Sequence, residues 1–244
     1  MSEELEIGRR YQNATKYHRD RMGEHRMRPQ QVPPFKRYED PLSVLKLPEP
    51  DSTGGMGLWE AVAGRRSVRD FSSKPLSLPH LSQLLWATQG VTARMGSHLF
   101  RAAASAGALY PDETYVFANR VQGCASGLWH YQVPDHSLAQ LAAGDLGGQL
   151  AAACLHQEFC AEAAVVFAWA AVVERAAWKY HDRCYRYLYL DAGHLGGQLQ
   201  LAACALGLGS VNIGAFFDEE VNQLLGLDGE AETALYLTAV GHPL

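Results

Sequence analysis

The sequence predicts a β-sheet covered by helices on both faces, and three observations carry that expectation. Stretches of strand character alternate with helical stretches along the chain. Two strands, Ala164–Val173 and Ala234–Val240, are apolar at nearly every position, as strands hidden on both faces are. The segment Leu188–Leu206 is small and apolar almost all round, so it has no polar face for water and belongs in a core or a subunit interface.

Residues 1–50 read as an arm. They are rich in Arg, Gln and Glu, and Pro29, Pro33, Pro34, Pro41, Pro48 and Pro50 exclude long helices and central strands. Asp51–Gly57 is a flexible joint, which divides the chain into an N-terminal arm over 1–57 and a folded domain over 58–244. The arm is free to lie on the domain or on a partner subunit. Leu58–Val62 then starts a short helix that ends near Gly64. Ser77 caps a second helix, with Pro79 in its first turn, Leu81, Leu84 and Leu85 as its apolar side, and Gly90 as its stop. Thr114–Ala118 and Leu128–Val133 are strands joined through a glycine-containing loop. Leu138–Glu158 reads as helical with a break at Gly147-Gly148. After the buried strand at Ala164–Val173, Leu188–Leu206 is a long helix stopped by Gly207 and Gly209. In it Gly196-Gly197 and Ala202-Ala203 fit close helix packing more simply than a direct ligand role. Asp218 caps a helix through Leu225, and Ala234–Val240 is the final strand.

Composition narrows the function. With 48% hydrophobic and 19% charged residues among 244, the chain is globular. A net charge of -5 argues against nucleic-acid binding, although Arg9, Arg10, Lys16, Arg19, Arg21, Arg26, Arg28, Lys36 and Arg37 make the arm basic. Met1–Asp20 is too polar for a signal peptide, and the longest apolar stretch, Ala161–Val173, is too short to span a bilayer and carries Glu162. A soluble, cytoplasmic protein is the expectation. The five cysteines have no C-x-x-C spacing and sit among Ala and Leu, which predicts buried free thiols and no metal site.

Chemistry concentrates in a few places. Arg65-Arg66-Ser67-Val68-Arg69, if extended, points Arg65, Ser67 and Arg69 to one side and offers an anion two guanidinium forks with a hydroxyl between them. A solvated basic corner is the plainer account. Ser105–Pro111 and Gly209–Ala215 are rich in small residues that let a ligand approach the backbone, although each also fits an ordinary turn.

These motifs, taken in order with Lys179-Tyr180, Asp191-Ala192-Gly193-His194, Leu206-Gly207-Leu208-Gly209 and Ile213-Gly214-Ala215-Phe216, resemble the nitroreductase superfamily of FMN-dependent oxidoreductases, and most closely its SagB-type, thiazole/oxazole-forming dehydrogenase branch. Ile7–Tyr11 and Thr15–Tyr17 resemble the start of stand-alone members. The resemblance implies an α+β sandwich with a central mixed sheet and helices on both faces, forming an intertwined homodimer with FMN at the interface. It also implies that Arg65, Arg66, Ser67 and Arg69 hold the ribityl phosphate and the pyrimidine edge. Ser105, Ala106 and Gly107 would contact the cofactor from the second subunit, and Ile213, Gly214 and Ala215 would lie against the isoalloxazine ring.

In that branch an azoline ring loses a proton from one carbon and hydride from its neighbour, so a base is needed beside the flavin. Lys179 and Tyr180 are the candidate catalytic residues. An adjacent ammonium favours phenolate, and a lysine in an apolar pocket loses its proton more readily, so either can serve. A surface Lys-Tyr pair at a helix start is the competing account. His194 fits a hydrogen-bonded structural histidine, and His181-Asp182-Arg183 fits solvated charge.

The chain departs from the family pattern in three places: Gly197-Gln198 stands where Gln-Asn is common, Ala108 where many nitroreductases carry Asn, and Gly241-His242-Pro243-Leu244 where Lys or Arg completes the phosphate site. The expected activity is hydride transfer between a small azoline-like substrate and FMN. An NAD(P)H-dependent nitro- or quinone reductase and a non-catalytic docking subunit are the alternatives.

Overall fold

The computed structural model describes residues 6–24, 27–29, 32–96 and 98–244; Arg26, counted in the basic arm, lies outside them. In chain order the elements are α1 (Glu6–Ala14), β1 (Ser43–Lys46), α2 (Leu58–Gly64), α3 (Leu78–Gln89), β2 (Val91–Met95), β3 (His98–Arg101), β4 (Asp112–Ala118), β5 (Gly127–Gln132), β6 (Ser137–Ala143), α4 (Gly147–Ala153), α5 (Phe159–Glu162), β7 (Val165–Val172), α6 (Glu174–Tyr180), α7 (Cys184–Ala205), β8 (Gly209–Ile213), α8 (Asp218–Leu225) and β9 (Glu232–Gly241).

The main sheet runs β1-β6-β5-β4-β7-β9-β8, and its ladders are antiparallel. Parallel pairing is confined, among the described residues, to isolated bridges, of which the one between Ser67 and Ser210 lies at the β8 edge. The alternation of β7 builds two cores. Val165, Phe167 and Trp169 face the layer that contains α3 and α7, whereas Val166, Ala168 and Ala170 face α4, α5 and α8. Both sets are fully buried, which is why this strand carries no polar residue. The helix over 78–89 forms as expected, with the Ser77 hydroxyl accepting the His80 N–H at 3.2 Å.

Four expectations change. Leu138–Ala143 is a strand: pairing with β5 on one side and β1 on the other satisfies its backbone twice over and outweighs the helical preference of Leu and Ala. The helix starts only at Gly147. Gly209–Ile213 is likewise a strand, with Val211 and Ile213 packed in the second core. Gly209 is needed there because a Cβ would stand 2.8 Å from a Val68 methyl. Asp218 is the first residue of α8, and Phe217 occupies the capping position without a side-chain bond. Lys179-Tyr180 ends a helix instead of starting one.

Much of the N-terminal segment is fastened to the sheet. Strand β1 extends the β6 edge, and Lys36 reaches a buried polar cluster, with Nζ 2.6 Å from Glu232 and 2.9 Å from the Tyr115 hydroxyl. Nearby, Glu113 is held by Arg175 at 2.6 Å, by His130 at 2.9 Å and by the Lys36 N–H at 3.0 Å. Further upstream, Arg186 donates to the Thr15 hydroxyl and the Gln12 carbonyl, which docks the end of α1 against α7.

Helix α7 packs Leu188, Leu195, Leu199 and Ala203 inward, and Gly196 lets the Tyr236 ring approach to 2.7 Å from where a Cβ would be. Its outer face is a surprise for so apolar a helix: Tyr189 and Leu190 are about 60% exposed in the single chain. Among the described residues no helix is long and apolar enough to cross a membrane.

Candidate active site

The residues singled out in the sequence gather into two sets. The first lies at the β8 edge. Arg65 caps α2, Ser67 bridges to Ser210, and Val68 donates its N–H to the Ser210 carbonyl at 3.0 Å. This extended pairing buries part of Val68 and leaves Ser67 and Arg69 exposed, as strand alternation requires. Arg66 turns back to the Ala63 and Arg65 carbonyls, and Arg69 lies 6.0 Å over the Phe159 ring. Among the described residues neither Arg65 nor Arg69 has a carboxylate partner. Two guanidiniums with a free hydroxyl between them therefore fit a phosphate group. Ile213 ends β8 with its side chain buried in the second core, so it is not free to lie against a ring as expected, whereas Gly214 and Ala215 after it are exposed.

The second set forms where β4 begins and β7 ends. Asp191, buried in α7, accepts the Ser105 hydroxyl at 2.6 Å and the Ala106 N–H at 3.1 and 3.2 Å. Burial raises the pKa of this carboxyl, and the Ser105 and Ala106 bonds oppose the shift. The Tyr110 and Ala108 amides turn back to Ser105 as well. The loop thus spends several of its N–H groups on itself and on Asp191, so fewer are free for a ligand than its small residues suggest. A carboxylate buried in an apolar helix needs donors, and this loop supplies them.

Gly107 is the centre of this set. Its φ of +64° is a left-handed conformation, and a Cβ would stand 2.5 Å from the Tyr180 hydroxyl and 2.7 Å from the Lys179 ammonium. Two side-chain ends therefore converge on one point above a glycine. The following non-glycine residues Ala108 and Tyr110 also have positive φ, 54° and 47°. His194 is exposed and its Nδ1 is 3.1 Å from the Ala104 carbonyl, which is a structural bond next to the loop.

No hydrogen bond or ion pair joins the two sets among the described residues. A Cβ on Gly64, at the end of α2, would stand 3.5 Å from the Cys204 sulfur, whereas the loop is bound to Asp191. At 1.5 Å per residue, about 20 Å of helix axis separates those anchor points. Between them a groove of about 680 Å³ runs over Gly193, Gly197 and Leu201. A second cavity, about 440 Å³, lies beside Lys179 and Gly107.

Tryptophans such as Trp178 suit a core or a pocket wall, and Trp178 does line the second cavity; what sequence reasoning missed is the weight of Asp191, quoted only as part of a motif, and the meeting of Arg101, Phe35 and Trp178 in that cavity. The lone acid in an apolar helix was the available signal for Asp191. The other three come from segments far apart in sequence, and only the tertiary fold joins them.

The model of the nitroreductase family matches residues 62–242. The chain is 39% identical over 187 residues to MJ1384 of Methanocaldococcus jannaschii, which bears a provisional nitroreductase name; the match covers 77% of this chain and 91% of that protein. It is 31% identical over 145 residues to the trifolitoxin-processing protein TfxB of Rhizobium leguminosarum bv. trifolii, covering 57% of this chain and 39% of TfxB. The crystal structure of a provisionally named nitroreductase from Anabaena variabilis superposes with a TM-score of 0.77 at 33% identity over 96% of this chain. The chain spans 46% of the Anabaena protein's length.

Proposed function

The chain belongs to the nitroreductase family, and on that premise we propose that it is an FMN-dependent oxidoreductase of the SagB-type dehydrogenase class acting on a small azoline-like ring. The observation that carries the reading is the convergence of the Lys179 and Tyr180 side-chain ends above Gly107. The likeness to a trifolitoxin-processing protein supports a substrate made by peptide modification.

Arg65, Ser67 and Arg69 would hold the cofactor's phosphate, with Arg66 beside them and the exposed Gly214 and Ala215, with the backbone of Ile213, along its ring. Bound FMN supplies a two-electron acceptor for hydride. The protein's own part is the proton: Tyr180 or Lys179 removes it from the ring carbon next to the one that loses hydride, so the azoline becomes an aromatic azole. Asp191 keeps Ser105, Ala106 and Gly107 in place while this happens.

The two residue sets belong to one site if two chains associate. Antiparallel packing of two α7 helices around a two-fold axis exchanges their ends, so the arginine set of one copy meets the Gly107 set of the other. The exposed Tyr189, Leu190 and Gly193 face and the groove beside it support a homodimer formed in this way.

The test is anaerobic. The purified protein, loaded with FMN, is mixed with a 2-substituted thiazoline and separately with NADPH, and flavin absorbance is followed. Bleaching by the thiazoline and none by NADPH is expected. Bleaching by NADPH alone identifies a nitro- or quinone reductase instead, and protein that takes up no FMN at all is a docking subunit.

A further inference from the structure

The cavity beside Lys179 has walls and a charge that together specify a ligand. Phe35 from the N-terminal segment, Phe100 from β3 and Trp178 from α6 give it flat apolar sides. Its polar lining holds the cations Lys179 and Arg101 beside His98 and Tyr110, with no carboxylate among the described lining residues.

Arg101 matters most here. The residue is 6% exposed, and its guanidinium lies 5.0 Å over the Phe35 ring and 4.8 Å over the Tyr110 ring and is bonded to the Gln89 amide oxygen at 2.9 Å. It has no ion-pair partner among the described residues. Glu113, the nearby ionised carboxylate, is already held by Arg175 and His130. Asp112 is a weak counter-ion, since burial and the neighbouring Asp191 push its carboxyl well above the ordinary range. Burial pulls the Arg101 pKa down only to about 10, so the charge persists at neutral pH. A buried guanidinium with no ion pair of its own, sharing Glu113 with Arg175 and His130, leaves positive potential at the cavity floor.

Resting on the catalytic reading of Lys179 and Tyr180, we infer that this cavity is the substrate pocket and that it takes an acid with a flat ring, the ring between the aromatic walls and the carboxylate turned toward Lys179, His98 and Arg101. An azoline-4-carboxylate, free or at the end of a peptide, has that shape and charge. The assignment divides the pair: Lys179 anchors the carboxylate, and Tyr180 is left to take the proton.

Isothermal titration of the FMN-loaded protein tests this, because it reads binding whether or not the flavin turns over. The probes are 2-phenylthiazoline-4-carboxylate, its methyl ester, and adenosine 2′,5′-bisphosphate. The acid is expected to bind about tenfold or more tightly than the ester, and Lys179→Met is expected to bring that ratio near one. His98→Ala, at an exposed position, is expected to narrow it in part. Equal binding of acid and ester overturns the proposal, as does a preference that survives both substitutions. Displacement of the acid by the nucleotide at lower concentration overturns it too, and makes the cavity a dinucleotide site. A Lys179-dependent acid preference without flavin bleaching supports the pocket while removing the dehydrogenase reading. Bleaching by acid and ester at equal affinity does the reverse.

Discussion

The Tyr180 hydroxyl stands 2.5 Å from the point where a side-chain carbon of residue 107 would be, and Gly107 has none. The geometry makes Gly107→Ala a severe change for so small a group. The methyl meets both the phenol and the Lys179 ammonium, and the φ of +64° adds about 1 kcal/mol of backbone strain. In a chain of this size that strain alone lowers the melting temperature by about 2–4 °C. Turnover is expected to fall at least tenfold. A calorimetric scan together with a steady-state assay checks both.

Asp191 is the clamp on the same loop. Asn in its place keeps the shape but presents an amide to the Ser105 and Ala106 donors. Asp191→Asn is expected to cost about 1–3 kcal/mol of stability. It is also expected to slow turnover while Lys179 and Tyr180 stay intact. Denaturant titration beside kinetics separates the two effects.

Arg65→Ala and Arg69→Ala are expected to weaken FMN binding by about tenfold or more each, since a hydrogen bond to a charged group contributes about 1.5–3 kcal/mol. Fluorescence titration of flavin-free protein reads this. Arg66→Ala is expected to matter less, because that guanidinium already bonds the Ala63 and Arg65 carbonyls.

Acid stability tests the buried charge cluster. Burial opposes ionisation of Glu113, but the His130 bond and the His130, Arg175 and Arg101 charges prevail and hold its pKa at about 2, below the ordinary 4.5. A depressed carboxyl stabilises the fold fully above its unfolded pKa. That contribution is lost as pH falls toward the folded value. The wild-type protein is therefore expected to lose stability between about pH 4.5 and pH 2. Glu113→Gln is expected to be less stable at pH 7 and to show a flatter profile over that interval. Urea midpoints measured across the interval decide it.

The parts of this fold written in local pattern were legible. The unbroken apolar run of β7, the Ser77 cap of α3 and the glycine stop of α7 are each fixed by neighbours in sequence. Leu138–Ala143 was not, because its strand state depends on β5 and β1, which are brought beside it only by the fold. The same holds for Gly209–Ile213, whose glycine and serine look like a turn until Val68 and β9 pack against them. Within the site, Arg65–Arg69 and Lys179-Tyr180 were visible as motifs. The Asp191 clamp and the Arg101 cavity were not, since each joins segments many residues apart.

Mixing two disabled variants tests most directly whether the site is assembled from two chains. Arg65→Ala/Arg69→Ala protein lacks the phosphate set, and Lys179→Ala/Tyr180→Phe protein lacks the proton-removing set. Random re-association yields heterodimers with one site intact and the other doubly damaged, so the mixture is expected to recover about a quarter of wild-type activity from two nearly inactive parents. A mixture that re-associates yet stays as inactive as its parents would contradict the account, because it would place both residue sets of each site on the same chain.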